Sequence, residues 1–572
     1  MSSKHSLTPF LALLDLNDYI AFDLETTGLH PLNDCITEIA AYRFVKGEPY
    51  EQYSTLINPG IPIPKNIVEI TSITDKMVAD APFIEDTLPD LIKFIGQSPI
   101  VGQNIDFDFN FISESCVRND ITFPKVSMYD TLSLARTFIY FHTSFSLTSL
   151  CDYYNISIEQ AHRAGADALA TGILFRYLLQ EALSRPLTLI QQMDAICKAS
   201  GQIYNHQLFS NILKVSVSMN TIDGLMNSVS DYTSPNNIFG LDAISRDNQL
   251  PDSPVEWFSN DGLINANWKN YEKRVSQLEL IQDAYLAFSN DYILMAEAGT
   301  GLGKSLAYLS AGYLAAREKD RSLVVSTHTK NLQEQLFEKD IPQLSKALNI
   351  NINTVIYKGR YNYICRTRLS SLMNNSAHLL NAHEYEALQT LIVWEWETKT
   401  GDINECNGFL LNKFKRLWSL VRSESGYCSA NRCRKYEGCY LGNLRNKINN
   451  ADIIIVNHSL FANELQLDNS CLPDDFTYVI DEAHHFANDI RSQLVQEFGV
   501  HTLNDVFQYF YHDKKNWKIP ILNKHPRIHK IYKQLAHEIG IINQELKDFF
   551  DSYYASRSTD EGKSDYYVDK HL

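Results

Sequence analysis

The apolar positions of this chain fall into short strand-length runs and longer helix-spaced stripes. The first run, Tyr19 to Thr26, leads through Asp23 and Glu25 into a Thr26-Thr27-Gly28 turn. Two more strand-like runs follow at Ile39–Val45 and Tyr53–Ile57, joined through a charged turn at Lys46-Gly47-Glu48. Val101–Ile112 then reads as a helix, because Phe107, Phe111 and Ile112 share one face. Ala161–Ala168 opens another, with His162 near its start. Periodicity weakens over residues 184–255, where Ser218–Asp252 is rich in Ser, Asn, Asp and Pro; this reads as a tether with a short helix near Gln202–Leu213. Beyond it, Ile293–Ser305 reads as strand, glycine loop and helix, Leu323–Thr329 as a buried strand with a helix beginning at Asn331, and Tyr478–His484 as a strand ending in Asp-Glu-Ala-His. Residues 526–556 carry an apolar stripe that reads as a packing face, and 557–572 form a polar tail expected to be disordered. The pattern is that of an α/β protein.

Length and charge narrow the picture. At 572 residues the chain should hold several domains, on a prior of about 150 residues each. A net charge of −17 argues against a generally basic nucleic-acid coat, so a polyanion would need local basic patches or metal ions. One such patch exists: residues 355–450 hold 14 Lys/Arg against 8 Asp/Glu, with Tyr357, Tyr361, Tyr363 and Trp418 among them, a composition suited to single strands. Phe10–Leu14 is too short for a signal peptide and no run would span a bilayer, so no membrane partner is expected. Ten unevenly placed cysteines fit a reducing compartment, the cytoplasm by default.

Asp23 and Glu25 lie two apart in a strand and so project from one face. Paired carboxylates of this kind call for a cation between them, and hard oxygen ligands suit Mg²⁺ or Mn²⁺. Three segments, Asp23-x-Glu25-Thr26-Thr27-Gly28, Asn104-x-x-Phe107-Asp108 and His162-Arg163-Ala164-x-x-Asp167-Ala168, resemble the motifs of the DEDDh 3′→5′ exonucleases. These are DnaQ-like enzymes on a ribonuclease H-like fold. The resemblance implies an exonuclease domain over residues 1–183, two divalent metals held by Asp23, Glu25, Asp108 and Asp167, and His162 as general base. Asp106 is a second candidate for the carboxylate of that helix. Gln103 stands where many members have His.

In the second half, Gly299, Thr300, Gly301 and Gly303 would turn backbone N–H groups toward phosphate oxygens, with Lys304 on the terminal phosphates and Ser305 on Mg²⁺. Ala298 replaces the first glycine of the strict pattern. Asp481 would hold Mg²⁺ through water and Glu482 would polarise the hydrolytic water. Tyr271–Gln277, with Arg274 and Gln277, resembles the adenine-reading segment of iron–sulfur helicases. Cys365 with the C-x₄-C-x₅-C cluster Cys428, Cys433 and Cys439 resembles the DinG branch of XPD-like, superfamily-two helicases, where four cysteines ligate a [4Fe–4S] cluster. Thiolates by themselves favour iron–sulfur or zinc, and the spacing fits neither common zinc-finger pattern well.

The resemblance implies a RecA-like P-loop helicase domain over 256–486, an iron–sulfur insert at 357–450, and a partial helical arch at 487–556. A second motor domain would be expected to follow, and none of the remaining sequence resembles one. The leading expectation is a 3′→5′ exonuclease on nucleic acid, with single-stranded DNA foremost, fused to the first half of an ATP-dependent 5′→3′ helicase. Replication or repair proteins would be its partners. The alternatives are a nuclease with a non-motor ATP-binding grip, and a non-catalytic nucleic-acid-binding scaffold.

Overall fold

The computed structural model describes residues 8–158, 163–200, 204–219, 250–268, 271–299, 301–375, 380–425, 427–428, 438–467, 470–494 and 526–557. They form two compact units. One comprises the described residues up to Val325, with Gln333–Val456 and Asn469–Val479; the other holds Ser326–Leu332, Asn457–Asp468 and those from Ile480 onward.

In the first unit, β1 (Asp18–Thr26), β2 (Ile36–Val45), β3 (Glu48–Leu56), β4 (Ile100–Gly102) and β5 (Met128–Asp130) form one sheet in the order β3-β2-β1-β4-β5. β1 runs antiparallel to β2 and parallel to β4. β2 and β3 are joined by two residues, Lys46 and Gly47, both at positive φ, as a tight hairpin of matching twist requires. Helix α1 (Ile105–Arg118) and α2 (Thr131–Phe138) begin just past the C-terminal ends of β4 and β5.

Helix α3 (Ala164–Leu183) lies across β1 and β2. Its contact row is small: Ala164, Ala168 and Gly172, one turn apart and all buried. At Gly172 a Cβ would come within 2.1 Å of the Phe44 ring, which is itself stacked on Tyr19 at 5.0 Å. The Tyr19 hydroxyl donates to the Gly172 carbonyl at 3.0 Å. The helix therefore rests almost backbone-to-sheet at this point.

The tether expected over 184–255 does not begin at residue 184. Helices α4 (Leu187–Ser200) and α5 (His206–Met219) occupy its first half, the second overlapping the short helix expected near Gln202–Leu213. Leu189, Ile190, Met193, Leu208, Phe209 and Ile212 are buried in one core with Phe138 and Phe175. Tertiary burial, not a strong local stripe, holds these helices. Most of Ser218–Asp252 lies outside the described residues.

Farther along, α6 (Val275–Ser289) packs against α7 (Lys304–Glu318). A second sheet, β6 (Ser322–Thr327), β7 (Thr354–Ile356), β8 (Ile453–Asn457) and β9 (Phe476–Ile480), has the order β7-β8-β6-β9. The strand expected at Ile293–Met295 is not formed. That stretch has no regular secondary structure and is open to solvent, Ile293 at 88% and Met295 at 93% exposure. The sheet ends at β9, and among the described residues the run has no neighbouring strand to complete its backbone hydrogen bonds.

The cysteine-rich insert contributes α8 (Arg366–Asn375), α9 (Ala382–Glu397), α10 (Lys415–Val421) and α11 (Tyr440–Ile448). Tyr385, Leu388, Leu391, Trp394, Leu417 and Trp418 belong to the same apolar core as the exonuclease-like helices. In the second unit, α12 (Pro526–Arg557) matches the expected helix, yet Ile531, Ile542 and Phe549 on its stripe are exposed, so the packing face is uncovered there. The polar tail beyond Arg557 lies outside the described residues. No described helix is long and apolar enough to cross a membrane.

Candidate active site

β1 is the middle strand of its sheet, and its C-terminal end carries Asp23 and Glu25. The register with β2 slips between Glu25 and Thr26, a bulge that bends the strand just past the acidic pair. Asp23, Glu25 and Asp167, the last in the first turn of α3, each offer a carboxylate oxygen, all within 4.8 Å of one another. Asp108 approaches from α1; it is buried and accepts the Leu24 N–H at 3.0 Å, so its carboxylate is tied to the backbone between the strand pair. Asp106 points elsewhere, accepting the Tyr204 hydroxyl at 2.5 Å. His162 lies outside the described residues, and Arg163 directly after it is described.

What holds α3 in place is Glu38 on β2, opposite Glu25 in register. Its carboxylate accepts Arg163 Nη2 at 2.8 Å and Nε at 3.1 Å, a two-pronged pair, and the Ala164 N–H at 3.2 Å. A buried acid thus caps the helix that presents Asp167. The sequence signal for it is faint: one acidic residue within the apolar run of β2. Because Arg163 is partly exposed and water can take up its charge, Glu38→Gln is expected to remove about 1–3 kcal/mol of stability. A loss of roughly 10–100-fold in divalent-metal affinity should accompany it, measured by Mn²⁺ titration calorimetry.

The electrostatics of the cluster are one-sided. Burial pushes the Glu25 carboxyl up to about 8, with Asp167 and Glu38 adding to the rise and Arg163 opposing it. Asp23 is raised well above the carboxylate range by burial and then by Asp108, Glu25, Asp167 and Glu38. Asp108 is raised by burial, against the Leu24 hydrogen bond. Without a cation the folded chain therefore holds protons that the unfolded chain releases. For Glu25 this contribution to stability is full below about 4.5 and is lost as pH rises through about 8. Scanning calorimetry of chelator-treated protein should show Tm falling from pH 6 to 8.5, and added Mg²⁺ should remove the slope. A flat or rising Tm in the metal-free protein would contradict the cluster's electrostatics.

In the phosphate loop, Gly301 and Gly303 both have positive φ, and Lys304 and Ser305 open α7. Thr300 lies outside the described residues, and Gly299 is open with nothing near its Cα hydrogen. Gln277 is buried: its amide nitrogen donates to the Gly303 carbonyl at 3.0 Å, and its oxygen accepts the Tyr271 hydroxyl at 2.8 Å. Arg274 is half exposed and pairs with Glu272 at 3.3 Å. In the second unit, the Asp481 N–H donates to the Ser326 carbonyl, and Glu482 sits in the left-handed region with its N–H on Asp481 Oδ1. Ser326 Oγ contacts buried His458 Nδ1 at 2.7 Å, a neighbour the sequence reading passed over.

Among the cysteines, the Cys365 thiol is held down to about 5, first by a hydrogen bond with Cys428. Arg366, next to Cys365, reaches the hydroxyl of Tyr440, next to Cys439. Three of the four expected ligands are thus drawn to one region, and Cys433 lies outside the described residues. Cys406 is an inert buried thiol, its pKa pushed up by burial. Of the four aromatics in the basic insert, Tyr357, Tyr363 and Trp418 are core residues and no platform for bases. Tyr361 alone of these is open, with the Arg422 guanidinium 4.2 Å from its ring centre.

Residues 20–175 match the family model described as Exonuclease (RNase_T). A Bacillus subtilis protein named 3′-5′ exonuclease DinG is 27% identical over 487 residues, 83% of this chain and 50% of that protein. Its namesake from Staphylococcus epidermidis is 28% identical over 490 residues, 84% of this chain and 51% of that protein. The chain thus spans about half the length of the curated relatives it matches. Among solved structures it is similar to exonuclease X in complex with 5′ overhanging duplex DNA, at 27% identity over 28% of this chain and 90% of that one, TM-score 0.24. A zinc-bound Escherichia coli ExoI–ssDNA complex matches at 21% identity over 31% and 44%, TM-score 0.29. The chain is therefore similar to DinG-type proteins over most of its length, and residues 20–175 match the exonuclease family model.

Proposed function

We propose that this chain is a metal-dependent 3′→5′ exonuclease acting on single-stranded DNA, joined to the first motor domain of a DinG-type helicase. The observation that carries the reading is the meeting of Asp23, Glu25 and Asp167 within 4.8 Å, with Asp108 behind them. The donor set fits Mg²⁺ or Mn²⁺: hard oxygens only, partly buried at Asp23, Glu25 and Asp167, and raised in pKa at Asp23 and Glu25 by desolvation first and then by the crowding of like charges. Asp23, Glu25, Asp108 and Asp167 would hold two such ions, which supply charge for the attacking and leaving oxygens. His162 would take the proton from water as its oxygen attacks phosphorus. The bond from phosphorus to the 3′ oxygen of the preceding nucleotide breaks, and a nucleoside monophosphate leaves.

Gly299, Thr300, Gly301, Gly303, Lys304 and Ser305 would bind the phosphates and Mg²⁺ of ATP, with Asp481 and Glu482 as the acidic pair. Cys365, Cys428, Cys433 and Cys439 would ligate a [4Fe–4S] cluster, and the low Cys365 pKa suits thiolate ligation. A second reading, in which the nucleotide module is a grip rather than a motor, is favoured by the solvent-exposed run before the loop. The test is digestion of 3′-end-labelled and 5′-end-labelled single strands with Mg²⁺ or Mn²⁺, with and without ATP. Shortening from the 3′ end that requires metal supports the nuclease reading; no metal-dependent shortening overturns it.

A further inference from the structure

The insert is joined to the exonuclease-like fold by a seam that neither catalytic reading requires. Helix α9 packs on α2 and α4 in one continuous core. Polar contacts run along the seam: Thr137 and Thr390 hydroxyls lie 3.4 Å apart, Gln389 donates to Cys197 Sγ at 3.2 Å, and Trp396 Nε1 donates to Gln192 at 3.2 Å. Arg185 pairs with Glu397. Beyond α9, the Gly408 N–H donates to the Tyr140 carbonyl at 2.7 Å, and a Cβ on Gly408 would come within 2.2 Å of the Arg136 carbonyl oxygen. Only glycine permits that approach.

At the other end of α2 sits Asp130. One of its oxygens accepts the Asn104 N–H at 2.7 Å and the Ile105 N–H at 3.3 Å, which start α1; the other accepts Ser133 N–H at 3.0 Å, which starts α2. Asn104 is in the left-handed region, a strained turn for a residue with a side chain. Asn205 brackets the Asp130 backbone from both sides. One carboxylate therefore caps both the helix that bears Asp108 and the helix that meets the insert. Burial pushes the Asp130 carboxyl up to about 6, and the charge of Glu386 on α9 adds to the rise.

We propose that α9 is a structural part of the exonuclease, and that Asp130 is the positioning residue through which the docked insert sets Asp108 at the metal site. This rests on the metal-site reading above. The test uses the full chain, with Mn²⁺ affinity from calorimetry, hydrogen exchange at Asn104 and Ile105, and digestion of a labelled single strand. Asp130→Ala should weaken Mn²⁺ binding by roughly 10–100-fold, with the half-saturating Mn²⁺ for digestion rising in step. Asp130→Asn, which keeps an acceptor oxygen for the Asn104 N–H, should restore most of it. Gly408→Val should show the same metal defect from the seam itself. Because that variant could also unfold the region, a rim variant is added: Trp396→Ala with Asn407→Ala, the latter removing the Asn407 side-chain donation to the Phe141 carbonyl at 3.0 Å. It should speed exchange at Asn104 and Ile105 while the circular dichroism spectrum is unchanged. Wild-type Mn²⁺ affinity and exchange in folded Asp130→Ala and rim variants would overturn the proposal and leave the nuclease reading standing. A wild-type chain that binds no Mn²⁺ would remove both.

Discussion

Asp23→Ala is expected to lower metal-dependent digestion from 3′ ends by about 10⁴-fold, comparable to loss of one member of a catalytic unit. Asp23 is the member whose charge environment includes all three other proposed ligands, and Glu38 besides. Removing it leaves too few oxygens for a metal pair, and the lost stabilisation belongs to the transition state rather than to strand binding. The affinity for single strands should therefore change little while turnover collapses. The same substitution relieves like-charge crowding, so metal-free Asp23→Ala should be more thermostable than the parent at pH 8. Lys304→Ala provides the contrast: digestion should persist at a near-parental rate without ATP. Digestion by Asp23→Ala within tenfold of the parent would end the nuclease assignment.

The second large effect is on stability, and its sign is the informative part. Gly172 lies inside a 20-residue helix, where replacing glycine by alanine ordinarily stabilises by about 1 kcal/mol. Here the new methyl would press on the Phe44 ring from 2.1 Å and on the Ala21 Cβ from 2.9 Å. Phe44 cannot yield freely, because it is fully buried and stacked on Tyr19. Overpacking of this kind removes about 1–3 kcal/mol, so sterics should outweigh propensity. Gly172→Ala is expected to lower Tm, and Gly172→Val to lower it by roughly 6–12 °C, on the scale for a domain of this size. Both are measured by calorimetry; a stabilised Gly172→Ala would show that the helix lifts readily from the sheet.

Local pattern displays pieces of the acidic site, and the resemblance to three exonuclease motifs is what joins Asp23 and Glu25 to Asp108 and Asp167. Asp23 and Glu25 follow the two-residue period of a strand, and Asp167 falls in the first turn of a helix whose opening the sequence displays. What supports them was not legible. Glu38 meets Arg163 across 125 positions, and Asp130 meets Asn104 across 26, so neither pairing leaves a trace in a short window. The same limit hid the seam, where Thr137 finds Thr390 across 253 positions. Helix α4 falls where the sequence suggests a tether, because its order comes from burial against residues elsewhere in the chain, whereas α5 overlaps the short helix expected near Gln202–Leu213. Ile293–Met295 shows the reverse error: its composition suits a strand, but a strand forms only where a neighbour offers a ladder. Tyr357, Tyr363 and Trp418 have the composition of a base platform and are consumed by the core instead.

The open run from Tyr292 to Met295 has a practical side. Together with β9, whose Tyr478 is half exposed at the rim of its sheet, it offers bare backbone and greasy side chains to any passing copy. Adhesion between identical molecules begins at such places, as it does in fibre-forming segments. Concentrated solutions of the purified chain should therefore turn cloudy, with contacts between copies starting at these exposed stretches.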